Sequence, residues 1–371
     1  MDNFKKHKVI WAILILAFIF RFWGIGWGLP LFLHLDEQTI VSPALKMRET
    51  SDFNPYYFRY PSLYIYFIYL IVMFLGTIYG VVSLGAGREL LYLVGRFTTA
   101  IMSTIIVYLT YRLGSSFFSK KVGYFAALSL SVMFLPVFLS HFITVDTMAL
   151  LFLMLALTFC LKVMRRGKLG EYLLAGFFSG LLIGTKFNFL ILAPLVLSHH
   201  FSVRKGAKHP LNYLILAFLT AGLVFLLTNP YFIFNFEEYV KGVVSQILLL
   251  KGEEVVSMSD KDGIPSFLWY LKYWVSSGIG LPLSLSAIVG ILLAIFNKTK
   301  HDKNKLLVLI SFPVLYLLVI FLSHHRADRY SLPLMPFLAI FSGLFFVYSL
   351  KFFKGIIPSV LFLAVFLGLP I

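Results

Sequence analysis

The sequence predicts an all-α integral membrane protein of about eleven transmembrane helices with two long external segments. Three observations carry this. Of the 371 residues, 60% are hydrophobic and only 13% charged, against about 25% charged in ordinary soluble proteins. The apolar residues fall in runs of span length. The net charge of +16 is gathered into short connections, as membrane orientation charge is. Aromatic residues reach 18% and many flank the apolar runs, where rings favour the bilayer interface.

In chain order the candidate spans are 9–30, 61–82, 91–113, 122–140, 145–163, 211–229, 279–297, 306–323, 332–350 and 356–371. The stretch 171–198 is interrupted by Lys186 and Asn188 and reads as two short spans meeting there. Lys5, Lys6 and Lys8 precede the first run without a small-residue cleavage site, so it reads as an uncleaved span. Basic clusters follow at Lys120/Lys121, Arg165/Arg166/Lys168, Arg204/Lys205/Lys208, Lys298/Lys300/Lys303/Lys305 and Lys351/Lys354. If 61–82 crosses the bilayer, the clusters at 120 and 165 fall outside. If it lies along the outer face, every cluster is cytoplasmic and 13 of the 16 acidic residues are external. The second arrangement satisfies the positive-inside tendency.

The expected layout is thus one transmembrane domain over 1–371, with external segments at 31–90 and 231–278 and no soluble C-terminal domain. The second segment carries Glu237, Glu238, Glu253, Glu254, Asp260 and Asp262. The expected location is the cell membrane, multi-pass, N-terminus cytoplasmic. A nucleic-acid partner is excluded because the basic residues form no stripe on a soluble module. The lone Cys160 excludes a disulfide framework and a cysteine metal site.

The chemistry-bearing residues cluster at the predicted outer face. His34-Leu35-Asp36-Glu37 follows the first span. Adjacent carboxylates there suit a general base for an acceptor hydroxyl. They are also compatible with a divalent cation, Mg²⁺ or Mn²⁺, or with simple capping of a helix start. Helix neighbours point about 100° apart, so one carboxylate would act and the other orient. Asp146, between two spans, is a second acid for the same pocket or another cap. Arg59, Arg96, Lys186, Arg326 and Arg329 sit at outer span ends. There they either snorkel or converge on a phosphate, for which arginine offers a bidentate fork. His324-His325 beside Asp328 is a weak metal candidate, because adjacent imidazoles diverge. Arg21, inside the first run, is expected to pair with an external carboxylate.

Five ordered segments carry a resemblance: His34-Leu35-Asp36-Glu37, Arg59-Tyr60-Pro61-Ser62-Leu63-Tyr64, Gly95-Arg96-Phe97, Gly184-Thr185-Lys186-Phe187-Asn188 and Asp328-Arg329-Tyr330-Ser331-Leu332-Pro333. The chain resembles the polyprenyl-phosphate-sugar-dependent glycosyltransferases of the GT-C fold, in particular the protein O-mannosyltransferase and aminoarabinose-transferase group. The resemblance implies a GT-C bundle with juxtamembrane helices in both external loops and 61–82 inside the first. It implies a polyprenyl-phosphate-linked sugar donor and a lipid, glycan or protein acceptor. Asp36 would be the catalytic carboxylate with Glu37 its neighbour, and Asp146 a second acid near the acceptor. Lys186, Arg96, Arg326 and Arg329 would hold the lipid phosphate, with Arg59 beside them and His34, Tyr60, His325 and Tyr330 in support. Leu35 and Ser62 stand where many relatives have proline. A transporter or flippase is the competing class; it predicts internal repeats and midplane sites on broken helices, and only the 171–198 pair fits.

Overall fold

The computed structural model describes residues 8–80, 85–204, 206, 210–252, 263–296 and 302–351. The run 356–371, the acidic residues Glu253, Glu254, Asp260 and Asp262, and Lys5, Lys6, Lys205, Lys208, Lys298, Lys300 and Lys354 lie outside them. Among the described residues all regular structure is helical. Five helices are long and apolar enough to cross a membrane: Gly87–Phe117, Val145–Arg166, Leu211–Thr228, Lys303–Leu322 and Asp328–Ser349. Four shorter apolar helices stand beside them. A count of about eleven spans therefore requires short helices to cross as well.

Helix α1 (Lys8–Phe22) stops eight residues before its apolar run does. Gly24 and Gly28 take positive φ there, and Pro30 closes the segment, so 23–32 is a string of turns. Arg21 does not meet a carboxylate. It is fully buried and donates to Ser103 Oγ at 2.8 Å and to the carbonyls of Leu130 and Ser131 at 3.0 and 3.2 Å. The cause lies in the next hairpin. The expected span 122–140 is broken at Met133 into α5 (Lys120–Val132) and α6 (Phe134–Leu139). Pro136, which has no N–H for Val132, enforces the break. The last carbonyls of α5 lose helical partners, and the arginine fork supplies them.

The segment expected to be the first external one forms α2 (Leu35–Thr50) and α3 (Leu63–Tyr79), which pack on each other and on α4 (Gly85–Phe117). Ile40, Met47, Tyr64, Ile68, Leu91 and Ile143 form a core separate from that of the main bundle. Arg48 ties α2 to α3 through the carbonyls of Val72 and Gly80. On its other side α3 exposes Leu70, Phe74 and Ile78, the apolar face an interfacial helix turns to lipid. Helix α4 has 33 residues, about 50 Å at 1.5 Å per residue. That exceeds the roughly 30 Å hydrocarbon core, so α4 extends beyond the other helices to meet α2 and α3.

Helices α7 (Val145–Arg166) and α8 (Leu169–Thr185) form a hairpin. The chain breaks at 186–188, makes a 3₁₀ turn at Phe189–Ile191 and returns as α9 (Leu192–Val203), the expected short pair. Helix α10 (Pro210–Thr228) packs closely on α8 because of a glycine stripe, Gly176, Gly180 and Gly184. A Cβ at Gly176 would lie 2.2 Å from the Ala217 carbonyl, and one at Gly180 2.6 Å from that of Ala221. Small residues four apart let membrane helices approach this closely. Gly180→Leu is expected to push α8 from α10, destabilising the protein by about 1–3 kcal/mol, read as a lower thermal unfolding midpoint in detergent. An unchanged midpoint would refute the packing.

The segment expected to be the second external one holds α11 (Tyr231–Phe234), α12 (Phe236–Lys251) and α13 (Ser266–Tyr273). It docks on the first: a Cβ at Gly242 would meet the Phe58 carbonyl at 2.4 Å, and Asn229 Oδ1 accepts from Ser62 N. Helices α14 (Leu281–Phe296), α15 (Lys303–Leu322) and α16 (Met335–Ser349) complete the bundle, with a 3₁₀ segment Asp328–Leu334 leading into α16. Alternate helix ends sort by charge. Lys120, Arg165, Arg204, Lys303 and Lys351 lie at one end. Asp36, Asp146, Lys186, Asn229 and Arg329 lie at the other.

Candidate active site

At the second end, four separate elements bring polar side chains to one cleft. It is small, about 10 Å³, and lined by Asp36, Thr39, Tyr60, Thr144, Asp146 and Arg329. Asp36 and Glu37 occupy the first turn of α2, where a helix N-terminus favours negative charge. The 100° step between neighbours sends them apart. Asp36 is part-exposed and pairs with Arg329 from the 3₁₀ segment. Glu37 is fully buried.

Glu37 faces the bundle, not the cleft. Its Oε1 accepts from Arg96 Nε at 2.8 Å and from Ile143 N at 2.9 Å, and its Oε2 accepts from Arg96 Nη2 at 2.6 Å. The remaining Arg96 nitrogen donates to the carbonyls of Ile25 and Trp27, each at 2.8 Å. Both ions are therefore fully engaged inside the protein. The expected roles of Glu37 as a cleft acid and of Arg96 as a phosphate ligand do not fit this placement. They join α2, α4 and the turns after α1 instead. A divalent cation does not fit the pair either, because the two carboxylates diverge and Glu37 has both oxygens occupied. Among the described residues no group of three His, Cys, Asp or Glu side chains converges as a metal site.

Asp146 and Lys186 face each other at 2.6 Å, from the first turn of α7 and the residue that ends α8. Asp146 is buried. The Lys186 ammonium also lies 5.0 Å from the Tyr330 ring centre. Tyr60 completes this corner. Burial, and then the Asp146 charge, push its phenol well above the usual range, so it stays protonated. His34 stacks on Phe142 at 4.1 Å, and burial lowers its pKa, which keeps it neutral near pH 7.

Other predicted members sit apart. Arg326 is buried, donates to the Ile264 carbonyl at 3.0 Å and lies over Trp269, so it ties the chain before Asp328 to α13. His325 is buried with its ring against Tyr330. Arg59 is exposed on the loop before Tyr60 and does not line the cleft. Two cleft residues escaped sequence reasoning. Thr39 donates to the Asp36 carbonyl at 2.8 Å, and Thr144 presents a buried hydroxyl with no hydrogen-bond partner. Thr144 precedes Val145-Asp146 at a helix start, a common capping position, and that ordinary context hides it.

The model of the dolichyl-phosphate-mannose-protein mannosyltransferase family matches residues 90–234. That segment carries Arg96, Asp146 and Lys186. In structure, the chain superposes on ArnT of Cupriavidus metallidurans bound to undecaprenyl phosphate with a TM-score of 0.63 at 15% identity, over 92% of this chain and 59% of that one. It superposes on AglB, the archaeal oligosaccharyltransferase of Archaeoglobus fulgidus in complex with an inhibitory peptide and a dolichol-phosphate, with a TM-score of 0.66 at 14% identity, over 99% and 55%. The chain shares the GT-C fold of these proteins. The apo Archaeoglobus fulgidus oligosaccharyltransferase gives the same GT-C bundle, with a TM-score of 0.64 at 14% identity over 98% and 53%. Comparison with curated protein sequences gives no significant match. The chain spans a little over half the length of these three GT-C structures.

Proposed function

We propose that the chain is a membrane glycosyltransferase that moves a sugar from a polyprenyl phosphate donor to an acceptor hydroxyl on the extracytoplasmic face, with inversion at the anomeric carbon. The observation that carries this is the pairing of Asp36 with Arg329 in a cleft that Asp146 and Tyr60 also line. It puts a base and a phosphate receptor within one side-chain length of each other. An incoming donor phosphate competes with Asp36 for the guanidinium, and the arginine fork suits it. Arg329 then turns to phosphate, and the Asp36 carboxylate is released to take the acceptor proton.

In the reaction the acceptor oxygen bonds to the anomeric carbon as the bond from that carbon to the phosphate oxygen breaks. The electron pair leaves with the polyprenyl phosphate, and the acceptor proton goes to Asp36. Charge grows on the departing phosphate, where a fixed cation stabilises the transition state more than the ground state. Lys186 pairs with Asp146 at 2.6 Å, which fixes the carboxylate so that Asp146 positions the acceptor side of the cleft. An apolar groove of about 360 Å³ between α13, α14, α15 and α16, lined by Trp274, Leu317, Leu334 and Phe341 among others, suits the first isoprene units. Leu334 closes the 3₁₀ segment that carries Arg329.

Native mass spectrometry of the detergent-purified protein tests the donor site. The wild type is expected to retain or take up a polyprenyl phosphate or its sugar ester, and Arg329→Ala to lose it by at least about tenfold, as loss of a charge-assisted hydrogen bond implies. A wild type that neither carries nor takes up such a lipid refutes the proposal and favours a transporter.

A further inference from the structure

A second cavity, about 820 Å³, lies at the basic end of the bundle and belongs to none of the chemistry above. Its floor is the last part of α4, which packs against both α1 and α7. Four cations from three helices converge on it: Arg112 of α4, Lys120 at the start of α5, and Lys162 and Arg165 of α7. Among the described residues no carboxylate lines it. Among the described residues none of the four makes an ion pair.

Two of the cations are already held in place. Arg165 Nη2 donates to Ser116 Oγ and to the Ser116 carbonyl, at 2.5 and 3.1 Å, and Arg112 Nη1 donates to Tyr108 Oη at 3.2 Å. Thr158, Lys162 and Arg165 share one face of α7, at the spacing of successive helical turns. Below the charges the walls are apolar, with Leu14, Ile105 and Leu161. Trp11 stands half-exposed at the rim, the place an interfacial tryptophan takes.

Cations that only set orientation splay into solvent or snorkel singly. Here they surround a cavity whose volume falls in the ligand range of about 300–1,000 Å³, with charge at its mouth and hydrocarbon beneath. We infer that this cavity binds one anionic phospholipid of the leaflet next to the basic loops, its phosphate among Arg112, Lys162 and Arg165 and its acyl chains along α4. Basic pockets between spans on the cytoplasmic side select such headgroups. Arg165 lies 19 residues along α7 from Asp146, about 28 Å at the helical rise. The bound lipid is therefore a ligand separate from any donor in the cleft.

The test is thermal unfolding and native mass spectrometry of the full chain in phosphatidylcholine, with phosphatidylglycerol or inorganic phosphate added. The wild type is expected to retain phosphatidylglycerol at least about tenfold over phosphatidylcholine and to unfold at higher temperature with it, by linkage. The preference is expected to shrink in high salt. The triple variant Arg112→Ala/Lys162→Ala/Arg165→Ala should lose the preference yet unfold like the wild type in phosphatidylcholine alone. If the triple variant does not fold, Lys162→Ala alone, whose ammonium lies over Phe159 of the same helix, should cut the preference severalfold. Equal retention of both lipids by the wild type overturns the inference. So does an unchanged preference in the variants, displacement of the lipid by polyprenyl phosphate, or the same stabilisation by inorganic phosphate alone.

Discussion

Asp36→Asn is expected to lower transfer by about 10²–10⁴-fold, the range a positioned general base supplies, with polyprenyl phosphate binding retained or improved. The two effects separate because Asp36 and Arg329 neutralise each other in the unliganded cleft. The amide cannot accept the proton, so chemistry fails. It also competes less for the guanidinium, so the phosphate gains Arg329 at lower cost. Replacement of a merely structural partner would weaken binding and stability together. Single-turnover transfer measured beside lipid retention in native mass spectra tells the cases apart. Transfer within about threefold of wild type would remove Asp36 from the chemistry.

Arg96→Ala is expected to destabilise the protein by about 3–5 kcal/mol, the cost of leaving one partner of a buried ion pair alone. Glu37 would be left with only the Ile143 amide as donor, and the carbonyls of Ile25 and Trp27 would lose theirs. The Glu37→Gln/Arg96→Met double variant is expected to recover a large part of the loss, since it removes both charges together. A thermodynamic cycle over the single and double variants gives the coupling directly. Single and double variants of equal stability would mean that the pair does not join these elements. If instead Arg96→Ala folds normally and loses only donor binding, Arg96 is a phosphate ligand after all.

Much of this arrangement is legible in the sequence, because membrane insertion imposes simple rules. The clustering of lysine and arginine in connections, and the half-length runs either side of Lys186, locate Asp36, Asp146, Lys186 and Arg329 at the same end of the bundle. The 100° step between Asp36 and Glu37 separates their directions before any coordinates are known. What hydropathy cannot report is which cation faces which anion. Arg96 and Arg329 read alike in sequence, each beside an aromatic residue at a span end, yet one lies in the protein interior and the other in the cleft. Arg21 was expected to meet a carboxylate, because the orphan carbonyls that attract it arise from a break at Pro136, more than a hundred residues away. Apolar patterning also runs straight through 23–30, where glycine geometry has already ended the helix.

Helix α4 joins the two ends of the molecule in a single rod. Between Arg96 and Arg112 it holds neither proline nor a glycine–serine pair, two of the places where sharp kinks arise. Arg96 and Arg112 lie 16 residues apart on it, about 24 Å at the helical rise. The ion pair that fixes the start of α2 and the guanidinium at the opposite cavity are therefore mounted on one stiff lever. A tilt imposed at the Arg112 end is expected to pass along the rod to the other, where the start of α2 holds Asp36 beside Arg329.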